Sequence, residues 1–364
     1  MPPVRLTPIP WDALPGWAED HHASALSALR RTARHVATNG PHKTGSLGPG
    51  GESFLPALNA ALRTDDGDAR TFFEERFAPH RIEGDRLGGP DGEGFVTGFY
   101  EPVIEASERR AGSFRYPIHA RPPALAKNDG TVAAGASLPH GWQWGMRGDD
   151  GLLHAAPDRS AIERGTAPHV ADWPVIAWAR DRVDLYFAHI QGAARLAMTD
   201  GTERRITYAA KSGHPFTAIG AELARDGEIE AAAVTMDTIR EWLAAHPDRA
   251  DALMRRNRSY IFFREEPVDE PELGPVAAAR VPLSPGRSLA VDRLLHTFGT
   301  PVFVEAPSLH MNGAPFARLM VAQETGTAIV GAARGDIFTG SGHAAGRVAG
   351  AIRAAARFTM LVPR

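Results

Sequence analysis

Apolar positions recur at helical spacing through the first third of the chain. Leu26, Leu29, Ala33 and Val36 share one face after Trp17, and Leu55, Leu58 and Leu62 repeat the pattern. Phe72, Phe73 and Phe77 mark a third segment, while residues 39–53, rich in Gly, Pro and Ser, read as a connecting loop. From about Gly94 the texture changes to short strands with frequent turns. Residues 95–100, 114–118 and 183–190 are strand-like, and Thr199-Asp-Gly-Thr202 joins 195–198 to 204–208 as a hairpin with an Asp-Gly turn. Helical spacing returns over 217–225 and at Met236, Ile239, Trp242 and Leu243, and 260–263 reads as a buried strand. The acidic, proline-bearing stretch 265–275 reads as a linker. Beyond it, strands at 289–291, 301–304, 319–321 and 328–330, punctuated by Gly and Pro, argue for a small barrel.

Length adds a domain count. At roughly 150 residues per domain, 364 residues predict two. A 43% hydrophobic and 23% charged composition is that of an ordinary globular protein. Forty basic and forty-three acidic residues nearly cancel, so no strong field draws the chain to nucleic acid or anionic lipid. Cysteine is absent, which excludes disulfides, thiolate metal sites, a cysteine nucleophile and a lipidated cysteine. The N-terminal run Met-Pro-Pro-Val-Arg-Leu-Thr-Pro-Ile-Pro offers no signal-peptide core, and no stretch reaches the roughly 20 apolar residues of a membrane span. The chain as given reads as soluble; work outside the cytoplasm would require a removed leader or an upstream start.

Several motifs fail on inspection. Gly340-Ser-Gly342 misses the dinucleotide fingerprint by one position, because the next glycine is Gly346. His21-His22 reads as a solvated helix start, and the histidines show no metal-ligand spacing, so no metal and no cofactor are expected. Ser341, His343 and Asp336 lack the G-x-S-x-G elbow of a serine triad. The densest chemistry lies in Ala322-Gln-Glu-Thr-Gly-Thr-Ala-Ile-Val-Gly331 and Arg334-Gly-Asp-Ile-Phe-Thr-Gly-Ser-Gly342. Two carboxylates, Glu324 and Asp336, sit twelve positions apart there. On composition alone Asp336 is open between an acid at a ligand site and a carboxylate bonding a turn, the glycines then serving only tight geometry.

Residues 323–350 resemble the C-terminal three-aspartate (3D) signature of the MltA family, peptidoglycan-cleaving membrane-bound lytic transglycosylases. Other segments match that family in order. Thr97-Gly-Phe-Tyr-Glu-Pro102 is similar to its T-G-Y-Y-x-P and Phe114-Arg-Tyr-Pro-Ile118 to its F-x-Y-P-I. Ile190-Gln-Gly192 resembles its Q-G-S, and Tyr208-Ala-Ala-Lys-Ser-Gly213 its Y-A-G-K-N-G. Asn257 to Phe263, Val281-Pro-Leu283 and Arg287 to Asp292 continue the series, so the likeness runs from about Trp17 to the C-terminus. The chain departs from the family pattern at Glu324, an aspartate there, at Ala193, a serine, and at Ser212, an asparagine; the lipid-bearing cysteine is also missing.

The resemblance implies an α+β, mainly β fold: a double-psi β-barrel with peripheral helices and a smaller β-rich insert, with a groove between them. Residues 1–102 would lead into the barrel, 103–265 form the insert and 276–364 complete the barrel. It implies a lytic transglycosylase acting on the β-1,4 bond between N-acetylmuramic acid and N-acetylglucosamine, with 1,6-anhydromuramyl products. Asp336 would be the single acid and then base, with Glu324 as a supporting carboxylate that tunes Asp336 or pairs with Arg334. Substrate contacts would come from Thr97, Tyr100, Gln191, Gly192, Lys211, Ser212, Gly213, Gln323, Gly340, Ser341 and Gly342. A non-catalytic glycan-binding protein and a two-carboxylate hydrolase are the alternatives on the same barrel. Glycan strands are the implied partner, together with cell-wall synthesis or division complexes; the chain would be a monomer in the periplasm or at the outer membrane.

Overall fold

The computed structural model describes residues 4–135, 137–311 and 313–364; Met1 to Pro3, where the proline-rich N-terminus begins, lie outside the described residues. Two compact units emerge. Residues 1–100 and 270–364 make one, and 101–269 make the other.

The first unit is a barrel-like nine-stranded sheet. Its order is Arg5–Pro8, Phe77–Glu83, Arg357–Pro363, Pro301–Met311, Ala314–Glu324, Ser288–Val291, Arg334–Ser341, Phe95–Glu101 and Arg353–Ala355. Successive side chains on a strand face opposite ways, and here both faces are buried. Phe303, Leu319, Val321 and Leu361 meet the N-terminal helices. Val302, Val304, Met320, Phe358 and Met360 turn to the other side, where they join Val96, Leu289 and Ile337. The helix His22–Asn39 presents Leu26, Leu29, Ala33 and Val36 to the first of these cores, as its spacing predicts.

The second unit holds a six-stranded sheet in the order Ile261–Glu266, Glu203–Lys211, Ala193–Met198, Val103–Ser107, Val175–Ala179 and Tyr116–His119. The predicted hairpin is there: Ala193–Met198 pairs antiparallel with Glu203–Lys211. Asp200 Oδ1 closes its turn by accepting from the Thr202 amide at 2.9 Å and hydroxyl at 2.6 Å.

Four expectations are corrected. Residues 183–190 form the helix Arg182–Gln191, not a strand. Asp181 caps its start by accepting from Val183 and Asp184 amides, and Gly192 ends it at φ 77°, a left-handed conformation that glycine adopts without a Cβ clash. Residues 328–330 are turn and coil, with Val330 65% exposed. Phe77 opens a strand instead of continuing the helix Ala69–Arg76. His22 is buried rather than solvated, its ring 4.4 Å from that of Trp17.

The insert also buries a charge cluster. Glu101, with no exposed side-chain surface, accepts from Arg205 Nε at 2.6 Å and from Arg195 Nη2 at 3.3 Å. Glu101→Gln keeps the shape and removes the buried counter-charge that Arg205 and Arg195 share, while Arg195 keeps Glu203 at 3.4 Å. The expected cost is about 3 to 5 kcal/mol, read as a lower denaturant midpoint; an unchanged midpoint would mean the cluster is solvated.

Candidate active site

Asp336 sits on Arg334–Ser341, between Gly335 and the fully buried pair Ile337 and Phe338. Its strand lies between Ser288–Val291 and Phe95–Glu101. The latter approaches the helix Gly342–Ala351 closely: a Cβ at Gly98 would stand 2.8 Å from Ala349 backbone atoms. That contact sets Thr97 beside the carboxyl. The Thr97 hydroxyl donates to Asp336 Oδ1 at 2.6 Å, and Arg334 Nη2 donates to Thr97 Oγ1 at 2.7 Å.

Burial pushes the Asp336 carboxyl up to about 6, against the Thr97 hydrogen bond and the Arg334 charge, both of which favour the carboxylate. The residue as a whole is only partly buried. This is the balance a proton donor at neutral or mildly acidic pH needs.

Glu324 is a second raised carboxyl, pushed up to about 7 by burial against backbone N–H bonds. Ala290 is in register with Asp336 on one side and Glu324 on the other. Two strand spacings, roughly 10 Å, separate the two backbones. Neither carboxyl contributes to the other's shift. Glu324 does not pair with Arg334. It accepts instead from the amides of Thr325 at 2.7 Å and Ala278 at 3.3 Å, and so ties the 275–280 segment to the strand end.

The other expected site residues divide. Gly340 and Gly342 take positive φ at the turn into Gly342–Ala351, with Ser341 between them as its N-cap. Gln191 and Gly192 close one helix of the insert, and Lys211 ends one of its strands. Gly213 lies against Trp142. Three side chains are built inward. Gln323 is fully buried, donating to Ala28 O and Thr32 Oγ1 and accepting from Ser288 Oγ at 2.6 Å, so it fastens the first helix to the sheet. Ser212, also fully buried, accepts from the Tyr260 amide. Tyr100 is 6% exposed and packs its ring on Gly346, not on an open surface. Sequence reasoning missed the bond from Arg334 to Thr97. The signal was present: residues two apart on a strand share a face, which puts Arg334 and Asp336 on one side.

Comparison with known proteins follows the same two-unit division. Residues 95–264 match the MltA specific insert domain and residues 287–362 the 3D domain. The crystal structure of a membrane-bound lytic murein transglycosylase from Agrobacterium tumefaciens is similar at 44% identity and a TM-score of 0.88, over 99% of this chain and 98% of that one. Escherichia coli MltA with bound chitohexaose is similar at 25% identity and a TM-score of 0.67, over 100% and 92%. The membrane-bound lytic murein transglycosylase A of Escherichia coli K12 is 31% identical over 278 residues, 74% of this chain and 66% of that protein. The aligned segment thus spans about two thirds of the curated relative's length. Fold and relatives together point to one class, whose members are named lytic murein transglycosylases. Within it the chain belongs to the MltA family.

The Glu324 geometry carries a sign. Its folded pKa of about 7 lies above the ordinary 4.5, so in that interval the unfolded chain binds fewer protons and stability falls as pH rises. Glu324→Gln removes the penalty. At pH 8 the variant is expected to be more stable than the parent by on the order of 1–2 kcal/mol, allowing for the accessible edge. The gain should vanish near pH 4. Unfolding midpoints at the two pH values check this, and a variant less stable at pH 8 contradicts it.

Proposed function

We propose that the chain cleaves the β-1,4 bond between N-acetylmuramic acid and N-acetylglucosamine in peptidoglycan by intramolecular transfer, with Asp336 as the catalytic residue. The observation that carries this reading is the Asp336 carboxyl, held near 6 by burial, with one oxygen bonded by Thr97 and no described partner on the other. Protonated Asp336 donates to the glycosidic oxygen as the bond to the muramyl C1 breaks. The carboxylate then accepts the C6 hydroxyl proton of the same sugar while O6 closes on C1. The acid is regenerated and no water is consumed. Intramolecular attack has a high effective molarity, so one carboxyl serves where a hydrolase needs two.

Glu324 supports this reading by its geometry. Bound to two backbone amides and some 10 Å away at the backbone, it is engaged in holding the 275–280 segment. Gly340, Ser341 and Gly342, at the turn after the Asp336 strand, are offered as glycan contacts on this reading, and Gln191, Gly192, Lys211 and Gly213 of the insert by the family resemblance alone. Gln323, Ser212 and Tyr100 serve packing instead. A relative captured with chitohexaose supports a glycan as ligand. Relatives named membrane-bound support a periplasmic or outer-membrane site of action, although no described helix is long and apolar enough to cross a membrane.

Asp336→Asn is expected to lower the release of anhydromuropeptides from purified peptidoglycan by about 10² to 10⁴-fold, with the fold intact by circular dichroism. Wild-type activity should fall as pH rises through about 6, where the acid loses its proton. Mass spectrometry of the products is decisive. Reducing muramyl ends would mean hydrolysis, and a variant keeping a tenth of wild-type turnover would remove Asp336 from its role.

A further inference from the structure

We propose that Arg334 and Thr97 form a directed relay that decides which oxygen of Asp336 carries the transferable proton. The proposal rests on Asp336 being the acid. Its basis is hydrogen-bond direction. A guanidinium has donors only and is not deprotonated in proteins, whereas a threonine hydroxyl has one proton to give. Arg334 Nη2 fills a lone pair of Thr97 Oγ1 at 2.7 Å, and the one Thr97 proton goes to Asp336 Oδ1 at 2.6 Å. Oδ1 is therefore an acceptor whether Asp336 is charged or neutral. The acid proton belongs on Oδ2, for which no partner is described within the chain.

The hydroxyl also acts as a spacer. A guanidinium paired directly with a carboxylate lowers the carboxyl pKa by about 1 to 3 units, which would leave no proton to donate at neutral pH. Here the guanidinium is restrained from that pairing. Arg334 Nη1 donates to the Gly335 carbonyl, and its guanidinium carbon lies 5.7 Å from the centre of the Phe95 ring. Phe95 and Thr97 stand two apart on one strand, Arg334 and Asp336 two apart on its neighbour. The four residues thus form one square on one face, with the positive charge reaching the acid through a neutral group. Thr97 and Arg334 are positioning residues in this scheme.

The test is the pH–rate profile of anhydromuropeptide release for Thr97→Val, Thr97→Ser, Arg334→Gln and the double variant Thr97→Val/Arg334→Gln. Thr97→Val should move the basic limb up by about one pH unit, since a bond to the carboxylate is lost. It should also lower kcat on the order of tenfold through a misplaced proton, with KM little changed. Thr97→Ser should restore both. Arg334→Gln should lower kcat as well, and the double variant should lose clearly less than the product of the single losses, because one residue acts through the other. A wild-type profile in Thr97→Val, a Thr97→Ser no better than Thr97→Val, or losses that multiply would each overturn the relay. Should Thr97→Val fail to fold, Thr97→Ser and Arg334→Gln still decide: the relay requires a near-normal profile and kcat in the first and a lowered kcat in the second. Asp336→Asn run alongside separates the two readings. Its inactivity with a wild-type Thr97→Val sinks the relay alone, and its activity sinks the acid on which the relay rests.

Discussion

Burial of one carboxyl group in a sheet whose two faces are both covered is the constraint on which the rest of the site depends. Charged carboxylates avoid low dielectric, so Asp336 holds its proton only while Ile337, Phe338 and the neighbouring strands keep water from most of it. That demand explains the small residues around it. Gly335 lies where a Cβ would meet Leu289 and Phe358 within 3.0 Å, and Gly98 lies where one would meet Ala349. Strand and helix close on the acid because these positions carry no side chain. The Thr97 hydroxyl, with the Arg334 charge behind it, supplies the polar counterweight.

Much of this was legible in the chain, and the failures have physical causes. Amphipathic spacing gave the helix His22–Asn39, and the Asp-Gly turn gave its hairpin, because both signals are local. Residues 183–190 misled because Val183, Leu185 and Phe187 alternate as in a strand. Asp181 and Gly192, the capping residues at either end, were the better guide. Asp336 stood out through motif resemblance, not through composition. Gln323 and Ser212 read as ligand contacts because a polar side chain within a motif looks functional. Only the tertiary structure reveals that Gln323 bonds Ala28 and Thr32, far upstream, and Ser212 bonds Tyr260. Long-range partners leave no periodic trace.

The two carboxyls illustrate how one physical effect serves two ends. Burial raises both, yet Glu324 spends its oxygens on backbone amides while Asp336 keeps one oxygen without a described partner. Glu324, at the end of its strand, bonds the Ala278 amide in the 275–280 segment. Environment, more than residue type, assigns the roles.

The barrel unit is assembled from the two ends of the chain, and this bears on how it is made. Gln323 ties itself to Thr32 and Ala28 across 291 and 295 positions. At ribosomal rates the first helix waits on the order of 15 to 60 s for that partner. For most of that interval its Leu26, Leu29 and Val36 face lacks Phe303 and Leu319 to cover it, and Leu361 follows later still. The insert, by contrast, is complete in sequence by residue 269. Synthesis thus favours an order in which the insert closes first and the barrel last, with the N-terminal helices exposed as the segment most in need of a chaperone until the final strand, Arg357–Pro363, has emerged.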